Sequence, residues 1–463
     1  MSTRRARSIA KELSGADLGD VRLSARLSAM AESVMARPGA SLPQMMGDEA
    51  GLEGAYRFLS NKRVHAHAIL APHIAATAER VVAMGGAYCI SDTTELRFGG
   101  EGRQGLGSLQ GGGRGFHAHL GLAVARDGSR LPLGLLGLDV LVRPEEPKRR
   151  SKTKKSRNAA DSESLKWSRV AEAAEDAVDG RASLIHLMDR EADIYALLAS
   201  FVSRDSRFIV RVAQNRNVID DDEGTLKLFD ALGTGIELGE RHVPLSRRPR
   251  AMKPHPRRAE RSARLTFASK TLEVRRPKTA AKHLPESLSL NFVHVYEKHP
   301  PEGESPIDWK LVTSEPIGTE QAIEAVIDGY RTRWVIEEYN KAIKSGCRIE
   351  RSQLESIEAI LNLLAIILPV ASQLLALRSL AALNGSVLAL GAMTRVQLDA
   401  LRLMSAARLN HEPTAQEALL AVARLGGHIK NNGPPGWLVL HRGFQDLLRY
   451  AAVLEAQERR ANL

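Results

Sequence analysis

Cysteine is almost absent: Cys89 and Cys347 are the only two in 463 residues. They are too few for a disulfide framework and too far apart in sequence for a zinc cluster, so a reducing compartment fits. The first residues, MSTRRARSIAKELSG, lack the apolar core of a secretory signal. No apolar run has the length a bilayer span needs: the most apolar, Ala359 to Leu368, is interrupted by Asn362 and bounded by Pro369. The chain has no internal repeat and no G-x4-G-K-S/T pattern to cradle a nucleotide.

What is present is length, apolar content and positive charge. With 43% hydrophobic residues, the chain can bury a sizeable core and is expected to divide into two or three domains. Lys and Arg outnumber Asp and Glu by 65 to 54, for a net charge of +11. That excess favours a polyanionic partner, because each neutralised phosphate releases counterions. Nucleic acid is the first candidate; a generally basic surface with no such partner is the alternative.

Apolar positions at helical spacing (Ile9, Leu13, Leu18, Leu23, Leu27, Met30, Val34) predict a helical segment from Ser8 to Ala36, with Arg22 and Arg26 on its polar face. Helices around Glu49–Leu59 and His67–Met84 lead to a first strand, Ala87 to Ser91, ending at Asp92. The stretch Gly99 to Gly115 has nine glycines in seventeen residues and reads as a flexible connection. Two strands, His117–Ala125 and Leu131–Leu141, flank the hairpin signal Asp127-Gly128. A basic run, Lys148 to Arg157, precedes a helix at Leu165–Val178. A short strand, Ser183–Met188, then delivers Asp189 to its end, and a helix near Glu191 leads to a strand at Phe208–Val212. This order predicts a mixed sheet covered by helices. From Arg247 to Arg264, eight Lys or Arg and three prolines in eighteen residues predict an exposed basic loop. Strand-like pieces around it (264–274, 288–295, 309–313) predict a β-rich insertion that interrupts the sheet. Helical periodicity resumes near Thr319 and dominates to the end, including Ile357–Leu383 and a C-terminal helix from Gly443 to about Arg459.

Cutting a phosphodiester requires an activated oxygen nucleophile and neutralised charge at phosphorus, which two divalent ions roughly 4 Å apart supply from a few carboxylates on rigid elements. Asp92 and Asp189 at neighbouring strand ends suit such a site, although each alone also reads as a turn residue or helix cap. The predicted helix Ile327–Gly346 adds weight. At about 100° per residue, Tyr330, Arg333, Glu337, Lys341 and Lys344 share an arc of roughly 80°. One face then carries a phenol, a guanidinium, a carboxylate and two ammonium groups, suited to a phosphate and a metal. A solvated helix with Glu-to-Lys pairs is the competing reading.

The segments DTT at Asp92, DREADIYALL from Asp189 and YRTRWVIEEYNKAIKSG from Tyr330 closely resemble the three catalytic motifs of bacterial cut-and-paste DDE transposases of the IS-four group, whose Tyr-Arg-Glu-Lys signature keeps the spacing Y-x2-R-x3-E-x6-K. Similar segments (LGDVRLSARL, EGAYRF, WKLVTSEP, ARLGGHI) extend the resemblance along nearly the whole chain. It implies an RNase H-like (retroviral-integrase-like) mixed-sheet α/β core at residues 67–384, with a β-rich insertion at about 214–316. It further implies a helical DNA-end-binding domain at 1–66 and a helical dimerisation domain at 385–463. Asp92, Asp189 and Glu337 would hold two Mg²⁺ ions, with Mn²⁺ as an alternative. Tyr330, Arg333, Lys341 and Lys344 would contact transposon-end phosphates, Arg211 would lie near the cleaved strand, Trp309 would stack on a flipped base, and Arg22 and Arg26 would contact the end. The partners implied are double-stranded DNA and a second copy of the chain, in the bacterial cytoplasm at the nucleoid. Water attack would release a 3′-OH, which forms a hairpin that is reopened before strand transfer. A domesticated, non-cutting relative and an RNase H-like structure-specific nuclease are the competing functions. Leu23, the glycine-rich loop and the Lys148 run depart from the family pattern, so end recognition there is expected to differ.

Overall fold

The computed structural model describes residues 9–144, 163–220, 224–233, 235–245, 257–381, 388–391, 393–405, 408–429 and 435–461. The basic run at Lys148–Arg157 and the part of the second basic stretch up to residue 256 lie outside them. The N-terminal region is helical: α1 (Ile9–Leu13), α2 (Val21–Ala36), α3 (Leu42–Met46), α4 (Glu49–Leu59) and α5 (Ala66–Ala83). The single helix expected over Ser8–Ala36 is two. Gly19 at φ +69° turns the chain, and Asp20 starts α2 by accepting from the Arg22 amide at 2.9 Å, so local capping overrides the periodicity.

The centre is one twelve-stranded sheet. Its first half comprises β1 (Gly86–Phe98), β2 (Gly107–Ser108), β3 (Arg114–Ala125), β4 (Pro132–Leu141), α6 (Leu165–Val178), β5 (Ser183–Met188), α7 (Tyr195–Ser203) and β6 (Arg207–Arg211). β1, β3 and β4 run antiparallel, while β5 pairs parallel to β1 and β6 parallel to β5. This hairpin-then-parallel order is the mixed, RNase H-like core the sequence implied. The second half adds β7 (Asn217–Asp220), β8 (Gly224–Lys227), α8 (Leu228–Gly233), β9 (Ile236–Leu245), β10 (Arg261–Arg275), β11 (Ser287–Tyr296) and β12 (Asp308–Thr313). The insertion does not interrupt the sheet, contrary to expectation. β12 pairs antiparallel with β6, from Leu311↔Arg211 to Thr313↔Ile209, so the sheet continues to β8. An open β6 edge would leave unpaired amides, and the insertion satisfies them.

The basic stretch is also less loop-like than predicted. Arg261 and Arg264 belong to β10 and are ion-paired to Glu297 and Glu304, and to Glu240. Nor is the glycine-rich segment merely a flexible link. The Gln104 amide donates to Glu355 O at 2.7 Å and Gln104 O accepts from the Ile357 amide at 3.0 Å. A Cβ on Gly107 would stand 1.8 Å from Arg143 O, so glycine permits close packing here.

The remaining helices are α9 (Glu320–Thr332), α10 (Val335–Lys341), α11 (Ile357–Ala381), α12 (Arg395–Met404), α13 (Ala415–Leu425) and α14 (Trp437–Ala461). α11 matches the helix expected over Ile357–Leu383 and runs through Pro369, because burial along its length outweighs the one backbone bond that proline removes. By length and composition Ile357–Ala376 could cross a membrane, but 83% of that window is buried inside the protein. Asn362 Nδ2 donates to Leu59 O at 2.9 Å and Val64 O at 3.1 Å, which fixes this central helix to the N-terminal helices.

Candidate active site

The sheet register brings the first two carboxylates together. Gly86 to Ile90 pair in parallel with Ser183 to Leu187, so Asp92 and Asp189 each lie two residues beyond the last pair. They face the same side of neighbouring strands, whose lateral spacing is about 4.8 Å. Asp92 is not at a strand end, since β1 continues to Phe98 on its β3 edge; it marks where pairing with β5 stops. Asp189 does end β5. Its side chain accepts from the Glu191 amide at 2.9 Å and caps a 3₁₀ turn, Arg190–Ala192. The helix expected at Glu191 starts only at Tyr195.

The third carboxylate comes from a segment that is not one continuous α-helix. After α9, the amides of Arg333, Ile336 and Glu337 donate to residues three back (3.0, 3.2 and 3.2 Å). α10 then ends in a π turn, Ala342–Gly346, closed by Cys347 N to Ala342 O at 2.7 Å. Tight and wide turns rotate the chain by more and by less than 100° per residue, so the face predicted from uniform spacing is redrawn. Glu337 stays on the site side, held by Arg333 Nη2 at 3.3 Å. Lys341 leaves it: its Nζ is 2.7 Å from Glu338, which also binds Arg378 at 2.8 Å. Lys344 is half-buried in the π turn.

Electrostatics follow from this crowding. Burial, then the charge of Glu337 and, behind the opposing pull of Arg333, that of Asp189 push Asp92 up to about 7. Burial also raises Asp189, against the Glu191 amide and Arg333. Burial disfavours the Arg333 cation, yet Tyr330, Asp92, Glu337 and Asp189 together hold its pKa above the usual value. Among the described residues no three Asp, Glu, His or Cys side chains stand close enough to enclose an ion. The carboxylates are arranged around the Arg333 guanidinium, which balances part of their charge. The donor chemistry, hard oxygens with no soft ligand, is of the kind divalent cations take, although the side chains are not drawn together around one point.

Other predicted residues adjoin this group. Tyr330 is 7% exposed and meets Trp309 edge-on, with ring centroids 6.0 Å apart. Arg211 donates to Asp308 O at 3.0 Å and lies close enough to Tyr330 for each to influence the other's charge. Burial lowers the Arg211 pKa. Arg22 and Arg26 lie apart, exposed on α2, and Arg22 pairs with Asp20 at 3.1 Å.

Three residues escaped the sequence reading. Asn340 Nδ2 donates to Asp92 Oδ2 at 3.2 Å; it lies about 60° from Glu337 on a helical wheel, so its signal was position, hidden by a side chain that carries no charge. Trp334, adjacent to Arg333, is 60% exposed, a large apolar group in the turn between α9 and α10. Asp193 is structural: 4% exposed, it accepts from the Ala213 and Gln214 amides at 2.7 Å each and pairs with Arg216, fixing the chain that leaves β6.

Comparison with protein-family models gives two matches. Residues 5–64 match a family described as Transposase DNA-binding, and residues 146–371 one described as Transposase DDE domain. The second span holds Asp189 and Glu337 and begins beyond Asp92.

Proposed function

We propose, from the premise that this chain carries the DNA-binding and DDE domains of transposases, that it is a cut-and-paste transposase of the IS-four, Tn-five-like type acting through Asp92, Asp189 and Glu337. The observation that carries the reading is the register that sets Asp92 beside Asp189, together with the charge of Glu337 felt at Asp92. These three would hold Mg²⁺, two ions per site, or Mn²⁺. Divalent ions bound there supply an activated nucleophilic oxygen and charge neutralisation at phosphorus. Arg333 tethers Glu337 and presents a guanidinium to an end phosphate, and Tyr330 and Arg211 extend that surface. Trp309, half-buried against Tyr330, would stack on an extruded base, and the exposed Trp334 is a second aromatic that could do so. Lys344 lies near enough in sequence to serve the same DNA, whereas Lys341 is engaged by Glu338. Arg22 and Arg26 would meet DNA from the N-terminal region. The C-terminal region carries the exposed apolar side chains Leu403, Ile429, Tyr450 and Val453, which suit burial against a second copy of the chain. The protein would act in the bacterial cytoplasm on double-stranded element ends and target DNA.

The test is to incubate the protein with duplex from its own gene flanks and Mg²⁺ and to follow nicks, hairpins and joined products on a denaturing gel. Cleavage at one flank, lost in Asp92→Ala and Glu337→Ala, is the expected result. Equal cleavage by these variants overturns the assignment.

A further inference from the structure

Asn340 has two features that no structural role explains together. Its Nδ2 is bonded to Asp92 Oδ2 at 3.2 Å, while its Oδ1 is buried with no hydrogen-bond partner. A buried amide oxygen left unmade costs about 1–3 kcal/mol, and a residue serving only as packing would be replaced by an apolar one of the same shape without that cost. The position is also ordered. Arg333, Glu337 and Asn340 are spaced i, i+4, i+7, so one turn of the segment tethers Glu337 through Arg333 and the next tethers Asp92 through Asn340.

We infer that Asn340 is a positioning residue of the divalent-ion site, its amide N–H fixing the Asp92 carboxylate and its buried Oδ1 accepting from the hydration shell of the ion. This rests on the metal-site reading above. Groups that orient a ligand from outside the coordination sphere typically govern metal affinity and activity by 10- to 100-fold. A carboxylate held at one oxygen loses rotamer freedom before the ion arrives, so less entropy is spent on binding. Asn340 touches neither DNA nor reacting atoms in this arrangement, so its loss should weaken ion binding and turnover and leave end affinity alone.

Mn²⁺ binding to the full-length protein on its pre-cut flanking-end duplex, followed by the electron paramagnetic resonance signal of free Mn²⁺, tests this directly. Asn340→Ala and the nearly isosteric Asn340→Leu should each weaken Mn²⁺ binding by about 10- to 100-fold. They should also raise the Mg²⁺ needed for half-maximal cleavage and lower kcat, with the KM for DNA within about twofold. Asn340→Leu guards against a folding defect, since it keeps the volume. If both variants bind Mn²⁺ like the wild type while Asp92→Ala does not, the inference is wrong and the metal site stands. If Asp92→Ala also binds Mn²⁺ like the wild type, the site assignment falls and takes the inference with it.

Discussion

Two buried clusters of charge in this protein are built on opposite principles. Where α1 meets α5, Glu12 is surrounded by partners. His73 Nδ1 donates at 2.6 Å and Arg80 reaches both carboxylate oxygens at 3.2 Å, while Arg80 Nε donates to Leu133 O at 2.6 Å. The Leu135 amide donates to His73 Nε2 at 3.1 Å, so His73 is the neutral Nδ1–H tautomer, and burial holds it so against the pull of Glu12. Burial alone would raise Glu12, but His73 and Arg80 outweigh it and its pKa is lowered. Around Asp92 the opposite holds: burial and like charges raise the carboxyl, with Arg333 the main relief. The first cluster is satisfied by the protein itself. The second keeps like charge that the protein does not fully relieve, a pattern that belongs more often to a site than to a strut.

The largest effect should come from breaking the second cluster where it reacts. Asp189→Ala or Glu337→Ala should reduce end cleavage by at least ~10³-fold, or about 4 kcal/mol of barrier, with melting temperature unchanged or raised. A band-shift assay in parallel should find end binding retained. Breaking the first cluster should do the reverse. Glu12→Ala leaves the buried His73 Nδ1–H without its acceptor and strips the half-exposed Arg80 of its carboxylate, and should cost about 1–3 kcal/mol of stability. Below its lowered melting point, the cleavage rate should stay within tenfold of wild type. An Asp189→Ala protein that unfolds, or a Glu12→Ala protein that is stable but inert, would collapse the distinction.

The contrast also has a pH signature. Asp92 has a folded-state pKa of about 7, against 3.8 for the free side chain. Between those values the folded protein keeps a proton that the unfolded chain has lost, so stability is greatest at low pH and declines as pH rises towards 7, then levels off. Asp92→Asn removes this dependence. In chelator, thermal melts from pH 5 to 8 should show the variant gaining on wild type as pH rises, and Mg²⁺ should close the gap for wild type alone. Glu12 has the opposite sign: its lowered pKa contributes stability above its ordinary range that is lost as pH falls through the shifted value.

How much of this was readable in the sequence depends on what sets each feature. The strands of the first half and the aspartates that follow them come from short apolar runs bounded by turns, a local pattern, so those elements were foreseen. The continuity of the sheet was not, because the pairing of β12 with β6 joins residues about a hundred positions apart. The Glu12–His73–Arg80 cluster was invisible for the same reason. In the signature segment the residue types were readable but their facing was not. Helical projection assumes a uniform 100° step, and the 3₁₀ bonds at Arg333–Glu337 and the π turn at Ala342–Gly346 violate it. Asn340 was passed over because it carries no charge and lies just outside the helical arc, about 20° beyond Arg333.

That last discrepancy supplies the smallest and sharpest test. Uniform spacing gives Arg333 and Lys341 equal claims on an end phosphate; the folded segment does not. Arg333 is half-buried between Glu337 and Tyr330, whereas Lys341 is exposed and spends its charge on Glu338, in a pair of the kind that contributes about 0–1 kcal/mol. Arg333→Lys should therefore weaken end binding at least ~10-fold, since an ammonium cannot reproduce the bidentate fork, and Arg333→Ala should lower the slope of log affinity against log salt by about one phosphate contact. Lys341→Ala should change affinity by no more than about twofold and leave that slope alone. A full unit of salt dependence lost in Lys341→Ala would mean that DNA pulls the lysine off Glu338 and restores the uniform helical face, making the bound segment a different structure from the free one.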